Sequence, residues 1–187
     1  MSEPAESADV PVESDPNEAA NRIGQAFVAL KQAGDAGASW FFWIAGLSLL
    51  NTVMAHGGAD RHFIIGLSIT AVIDGIAAEI GKQQPQLATL AMVIAVVFSV
   101  CVAVVVFLLG WLSRKRLLWV FGFGMGLYLL DGLIYLFFED YWSAAFHGYA
   151  LFAMSRGFGA YRQMAQLEAA LQADPAVAVA DDDGIDE

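Results

Sequence analysis

Residues 87–112 read "LATLAMVIAVVFSVCVAVVVFLLGWL", 26 residues without a charged side chain. At the helical rise such a run extends about 39 Å, more than the ~30 Å hydrocarbon core of a bilayer. A helix that crosses with some tilt accommodates the excess. Helix is the required form, because in lipid the backbone must satisfy its own hydrogen bonds, and no segment alternates like barrel strands.

The rest of the chain extends this reading. Of 187 residues, 58% are hydrophobic, above the usual share for a soluble domain. Lys and Arg are absent from 83–113 and from 117–155. Four further apolar segments occupy 39–55, 62–80, 117–138 and 142–158. The expected fold is all-α, a polytopic membrane bundle of five apolar helices within residues 38–158. Trp40, Trp43, Trp111, Trp119 and Trp142 lie near segment ends, where indoles favour the headgroup region.

Residues 18–37 carry a modest apolar face and are expected to form an amphipathic interfacial helix and linker, ended by "GDAG" at 34–37. Residues 159–173 suggest a second short amphipathic helix. Residues 1–17 and 174–187 are expected to be disordered acidic tails. The chain ends explain the net charge of −11, because residues 1–18 and residues 174–187 each hold six of the 20 acids and no base. The remainder is near balance, which excludes an acidic nucleic-acid mimic; no nucleic-acid partner is expected. Cys101 is the only cysteine, so neither an internal disulfide nor a cysteine metal cluster can form. The acidic N-terminus lacks the basic region of a cleaved signal peptide.

Two topologies compete. With five crossings, Arg22, Lys31 and Lys82 face six basic residues on the side of "SRKR", and the N-terminus lies outside. If 62–80 is re-entrant or interfacial, four helices cross, the split becomes seven against two, and both termini lie inside. Charge favours four. A weak internal likeness favours five: 62–80 and 117–138 both carry Asp-Gly between aliphatic residues, as in a duplicated helical hairpin.

Those acids are the candidate site. Burying Asp at mid-membrane costs at least ~2.5 kcal/mol, so a partner is required. The short turn after 138 makes the last two segments antiparallel neighbours, which sets Asp131 beside His147. Asp74 joins them if segment 62–80 spans, and Tyr128, one turn before Asp131, is placed to donate a hydrogen bond to it. Gly122 and Gly126 form a GxxxG pair suited to helix packing. The readings in order are a structural polar clasp, a binding or proton-relay site, and catalysis. "AHGGADRH" lacks metal-ligand spacing, Ser39 lacks a nucleophile elbow, and "GFGMG" follows no strand. No metal or cofactor is expected.

The combination of "WFFWIAGLSLLN", "FIIGLSITAVIDGIA", "YLLDGLIYLFF" and "FHGYALFAMSRGF" resembles a family of small uncharacterised polytopic membrane proteins of bacteria. The resemblance covers about residues 37–160 and implies a bacterial membrane location, expected to be the cytoplasmic (inner) membrane, with no known activity and no catalytic residue. The sequence thus suggests a non-catalytic accessory, structural or regulatory membrane protein, acting through lipid, self-association or a membrane-protein partner. A proton-coupled transporter or channel subunit is the alternative.

Overall fold

A computed structural model describes residues 16–56 and 66–173. Residues 1–15 of the expected tail 1–17, the expected tail 174–187, and the histidine-bearing stretch 57–65 with Asp60 and His62 lie outside the described residues, while Pro16 and Asn17 already belong to the first helix. Five α-helices follow in order: α1 (Pro16–His56), α2 (Ser68–Gln83), α3 (Ala88–Arg114), α4 (Leu118–Phe137) and α5 (Tyr141–Ala173). A 3-10 turn at Pro85–Leu87 precedes α3. The all-α bundle is as expected.

Among the described residues, three helices are long and apolar enough to cross a membrane, within Asn17–Ala55, Pro85–Arg114 and Leu118–Phe137. The expectation of five is corrected at two places. α2 has 16 residues, about 24 Å, and falls short of a ~30 Å core. α5 is long, but His147, Arg156, Arg162 and several small residues dilute its hydropathy.

The expected breaks near residue 37 and residue 158 are also absent. Residues 18–37 and 39–55 form one helix of 41 residues, and 142–158 and 159–173 form one of 33. The glycines read as breakers serve instead as contact points. A Cβ on Gly37 would lie 2.6 Å from the Cα of Gly157, so α1 and α5 touch backbone to backbone there. Gly34 leaves room for the ring of Tyr161 one turn away. Tyr161 then donates to Asp35 at 2.6 Å, and Lys31 holds the other carboxylate oxygen at 2.7 Å. Inside a helix, a Gly-Asp-Ala-Gly run costs propensity, and tertiary packing overrides it.

The core centres on Phe41 of α1. A Cβ on Gly110 of α3 would lie 2.8 Å from the Cβ of Phe41 and one on Gly124 of α4 2.6 Å from its ring, so α3 closes on the base of this side chain and α4 on its tip. Phe121 meets Phe41 edge-on at 5.6 Å and passes the contact to Phe158 and Tyr161 of α5. Met154 and Ile44 complete this buried layer.

The relative direction of α2 determines where the polar residues go. Ser48 pairs with Thr70 at 3.0 Å and Thr52 with Asp74 at 3.0 Å, so α1 and α2 run parallel. The ends of both helices therefore lie toward one face, while Ser68, the first residue of α2, is buried inside the bundle. α2 and α4 are accordingly not equivalent halves of a duplicated hairpin. α3 runs against α1, with Gly110 on Phe41 and Arg114 donating to Ser39 at 2.7 Å. The α3–α4 and α4–α5 turns each place a non-glycine residue, Arg116 and Glu139, at positive φ of 62° and 59°, the left-handed cap of a sharp helix end.

Candidate functional site

α5 starts from a capping arrangement. Asp140 precedes it and accepts from the Ser143 backbone N–H at 3.2 Å and the Ser143 hydroxyl at 2.6 Å. One turn on, His147 is 1% exposed and its Nδ1 lies 2.9 Å from the carbonyl oxygen of Ser143. A carbonyl only accepts, so Nδ1 carries a hydrogen. The other nitrogen, Nε2, lies 3.0 Å from Oδ2 of Asp131 on α4. A second hydrogen must sit between these two atoms, since otherwise a lone pair would face a carboxylate oxygen. The pair therefore holds one shared proton in addition to the one fixed on Nδ1.

Asp131 has a second role, which the sequence did not signal. Its Oδ2 accepts the Ser68 N–H at 2.8 Å and its Oδ1 the Ile69 N–H at 3.0 Å, while the Ser68 hydroxyl donates to the Asp131 carbonyl at 2.7 Å. Leu67, the residue in the N-cap position of α2, offers no side-chain cap. A carboxylate from another helix fills that position and satisfies two orphan donors of a buried helix start. Two N–H donors match the acceptor oxygens of the carboxylate and fix its orientation.

The imidazole is enclosed by aromatic rings. Tyr128 stacks on it at 4.3 Å with an interplanar angle of 18°, and Tyr135 approaches at 5.1 Å. Both sit on the Asp131 face of α4, one turn before it and one turn after. Tyr128 contributes its ring to His147 in place of the expected hydroxyl bond to Asp131. Gly132 makes the fit feasible, because a Cβ there would lie 3.0 Å from the Cβ of His147 and 3.1 Å from its ring.

The structure thus brings together Asp131, His147 and Tyr128. Asp74 is elsewhere: it is buried and accepts from Thr52 of α1, six residues past Ser68 and about 9 Å along α2. Its convergence with the pair is not found, because α2 begins at the depth of Asp131 and runs away from it. The GxxxG expectation also changes. A Cβ on Gly126 would meet nothing within 4 Å, and one on Gly122 only Phe158 at 3.7 Å. Close packing of α4 falls to Gly124 and Gly132, on the Asp131 side.

Two openings flank the pair. One is an apolar cavity of about 290 Å³ between α3 and α4, reaching Tyr128 and Asp131 past Val102, Val106 and Leu127. The other, about 430 Å³, lies between α2 and α4, with Ser68, Tyr135 and Asp140 on its wall. No family model, curated protein or solved structure matches the chain. The fold and this site define a small multi-span helical membrane protein with a buried Asp–His pair beside a spanning helix.

Proposed function

We propose that this protein is a proton-coupled transporter or channel subunit in which Asp131 and His147 hold an exchangeable proton. The observation that carries the reading is the fixed Nδ1 hydrogen on the Ser143 carbonyl, which leaves one proton to be shared across the 3.0 Å bond to Asp131. Loss of that proton sets a lone pair against the carboxylate and forces the side chains, or the start of α2, to move. An intramembrane Asp–His pair of this kind is a common element of proton pathways. The opening along Ser68, Tyr135 and Asp140 is walled by two residues that touch the pair, Ser68 and Tyr135, and reaches the α4–α5 turn, which places a route for exchange beside it.

The topology that fits this reading has four crossings, α1, α3, α4 and, despite its diluted hydropathy, the long α5, with α2 re-entrant. The parallel course of α1 and α2 supports it, as does the seven-to-two distribution of basic residues. In a bacterial cytoplasmic membrane, both termini and "SRKR" are then cytoplasmic. A reporter fused to the N-terminus gives a cytoplasmic signal in this arrangement and an external one with five crossings.

The functional test is acidification of vesicles holding the purified protein and a pH-sensitive dye. Wild-type proton movement that disappears in stably folded Asp131→Asn and His147→Gln variants is the expected result. If the wild type passes no protons, and both variants merely lose thermal stability in detergent, the pair is a structural clasp. The capping of α2 by Asp131 is the observation that favours that second reading.

A further inference from the structure

A second polar cluster is buried where α1, α2 and α3 meet. Ser48, Asn51 and Thr52 share one face of α1 by their spacing, and Thr70 and Asp74 share the facing side of α2. All five are buried, and Ser99 on α3 is 0% exposed. The register of α3 sets Ser99 in the same layer. Gly110 lies on Phe41, and eleven residues back along the antiparallel α3 corresponds to eleven residues forward on α1, at Thr52. Ala95, one turn from Ser99, lines a groove with Ile73 and Ala77 of α2.

Two atoms in this layer lack partners. The side-chain oxygen of Asn51 and the hydroxyl of Ser99 are buried without a hydrogen bond. Orphaned buried oxygens are costly in any protein and more so in a lipid-embedded one. Both belong to a set made of oxygen donors: one carboxylate, four hydroxyls and one amide. The neighbouring oxygens that do meet, Ser48 with Thr70 and Thr52 with Asp74, stand 3.0 Å apart. That spacing suits adjacent ligands of an ion held at about 2.3–2.6 Å, the range of a Ca²⁺-sized cation. A single carboxylate balances one positive charge and falls short for a divalent ion. Hard oxygen ligands without nitrogen or sulfur disfavour the softer transition metals, and the single carboxylate disfavours the hard divalent ions.

We infer that Ser48, Asn51, Thr52, Thr70, Asp74 and Ser99 form a binding site for a dehydrated Na⁺ ion. The site is separate from the Asp131–His147 pair, yet both grip α2: the pair at Ser68 and Ile69, the cation site at Thr70 and Asp74. The inference does not need proton transport, because the cation is bound by its own ligands.

The test is thermal unfolding of the full-length protein in detergent, titrated with NaCl against choline chloride at constant ionic strength. Wild type is expected to show a saturable Na⁺-specific rise in Tm of several degrees, since a ligand bound only to the folded state stabilises it. KCl should give a smaller rise. Asp74→Asn should abolish the effect, and Ser99→Ala should weaken the apparent Na⁺ affinity roughly tenfold. Ser99→Ala separates the site from mere packing, because removing an orphaned hydroxyl leaves folding intact or improves it in choline. If Asp74→Asn does not fold, Ser99→Ala and direct binding of radioactive Na⁺ to wild type decide the matter. No cation-specific shift, an equal shift with K⁺, or an undiminished Na⁺ response in Ser99→Ala overturns the inference.

Discussion

Asp131–Gly132 and Asp74–Gly75 look alike in sequence and sit in opposite surroundings. At the first, the acid reaches across to His147 and to the start of α2, and the glycine leaves space for the imidazole. At the second, the acid accepts from Thr52, and a Cβ on Gly75 would meet nothing within 4 Å. A dipeptide therefore says nothing about its glycine until a neighbouring helix is in place. The difference arises from direction: α5 runs antiparallel to α4 and brings a large ring against Gly132, while α2 turns Gly75 outward.

Substitutions at the two acids are the strongest way to break this contrast. Asp131→Ala leaves a buried imidazole and two helix-terminal N–H groups without their acceptor, and should cost about 3–5 kcal/mol. Asp74→Ala should cost less, about 1–3 kcal/mol, the range for leaving one buried hydroxyl unsatisfied. Denaturant unfolding in detergent measures both, and equal losses would erase the distinction.

The glycines come next. Gly132→Ala should destabilise by about 1–3 kcal/mol, because His147 is clamped by Ser143, Asp131 and two tyrosines and has little room to yield. Gly75→Ala should be neutral or stabilise by up to about 1 kcal/mol, the helix-propensity gain at an open position. A loss at Gly75 comparable to that at Gly132 would mean that another chain covers α2.

The smallest effect is expected at Gly126, where Ala should change stability by no more than about 1 kcal/mol, in the favourable direction. Its GxxxG partner Gly122 has one distant neighbour, so the monomer does not use this pair for tight packing. A marked loss in Gly126→Ala, seen together with a shift in size by light scattering, would show a second copy on that face.

The Asp131–His147 contact was legible in the sequence because only a short turn separates two long apolar runs, and that fixes depth and neighbourhood. The role of α2 was not, since Ser68 and Asp131 are 63 residues apart and a backbone N–H has no sequence signature. Gly132 and Tyr135 were within reach, as both share the Asp131 face of α4. The continuity of α1 and α5 was misread because Gly34, Gly37, Gly157 and Gly159 break isolated helices. In the bundle, three of them are contact points, and packing outweighs their propensity. Segment 62–80 was read as spanning, but its helix begins only at Ser68 and, at 16 residues, is too short to span.

The lengths of α1 and α5 have a mechanical consequence. A helix of 41 residues is about 60 Å long, roughly twice the thickness of a hydrocarbon core. Its excess and that of α5 lie side by side from the Gly37–Gly157 crossing outward, with Arg116 of the α3–α4 turn braced on Glu168. His147 belongs to the same uninterrupted rod as Ala173, about 40 Å away. A push or twist applied at the water-exposed end of that rod arrives at the imidazole without passing through a hinge, so the buried pair has a handle in the aqueous phase.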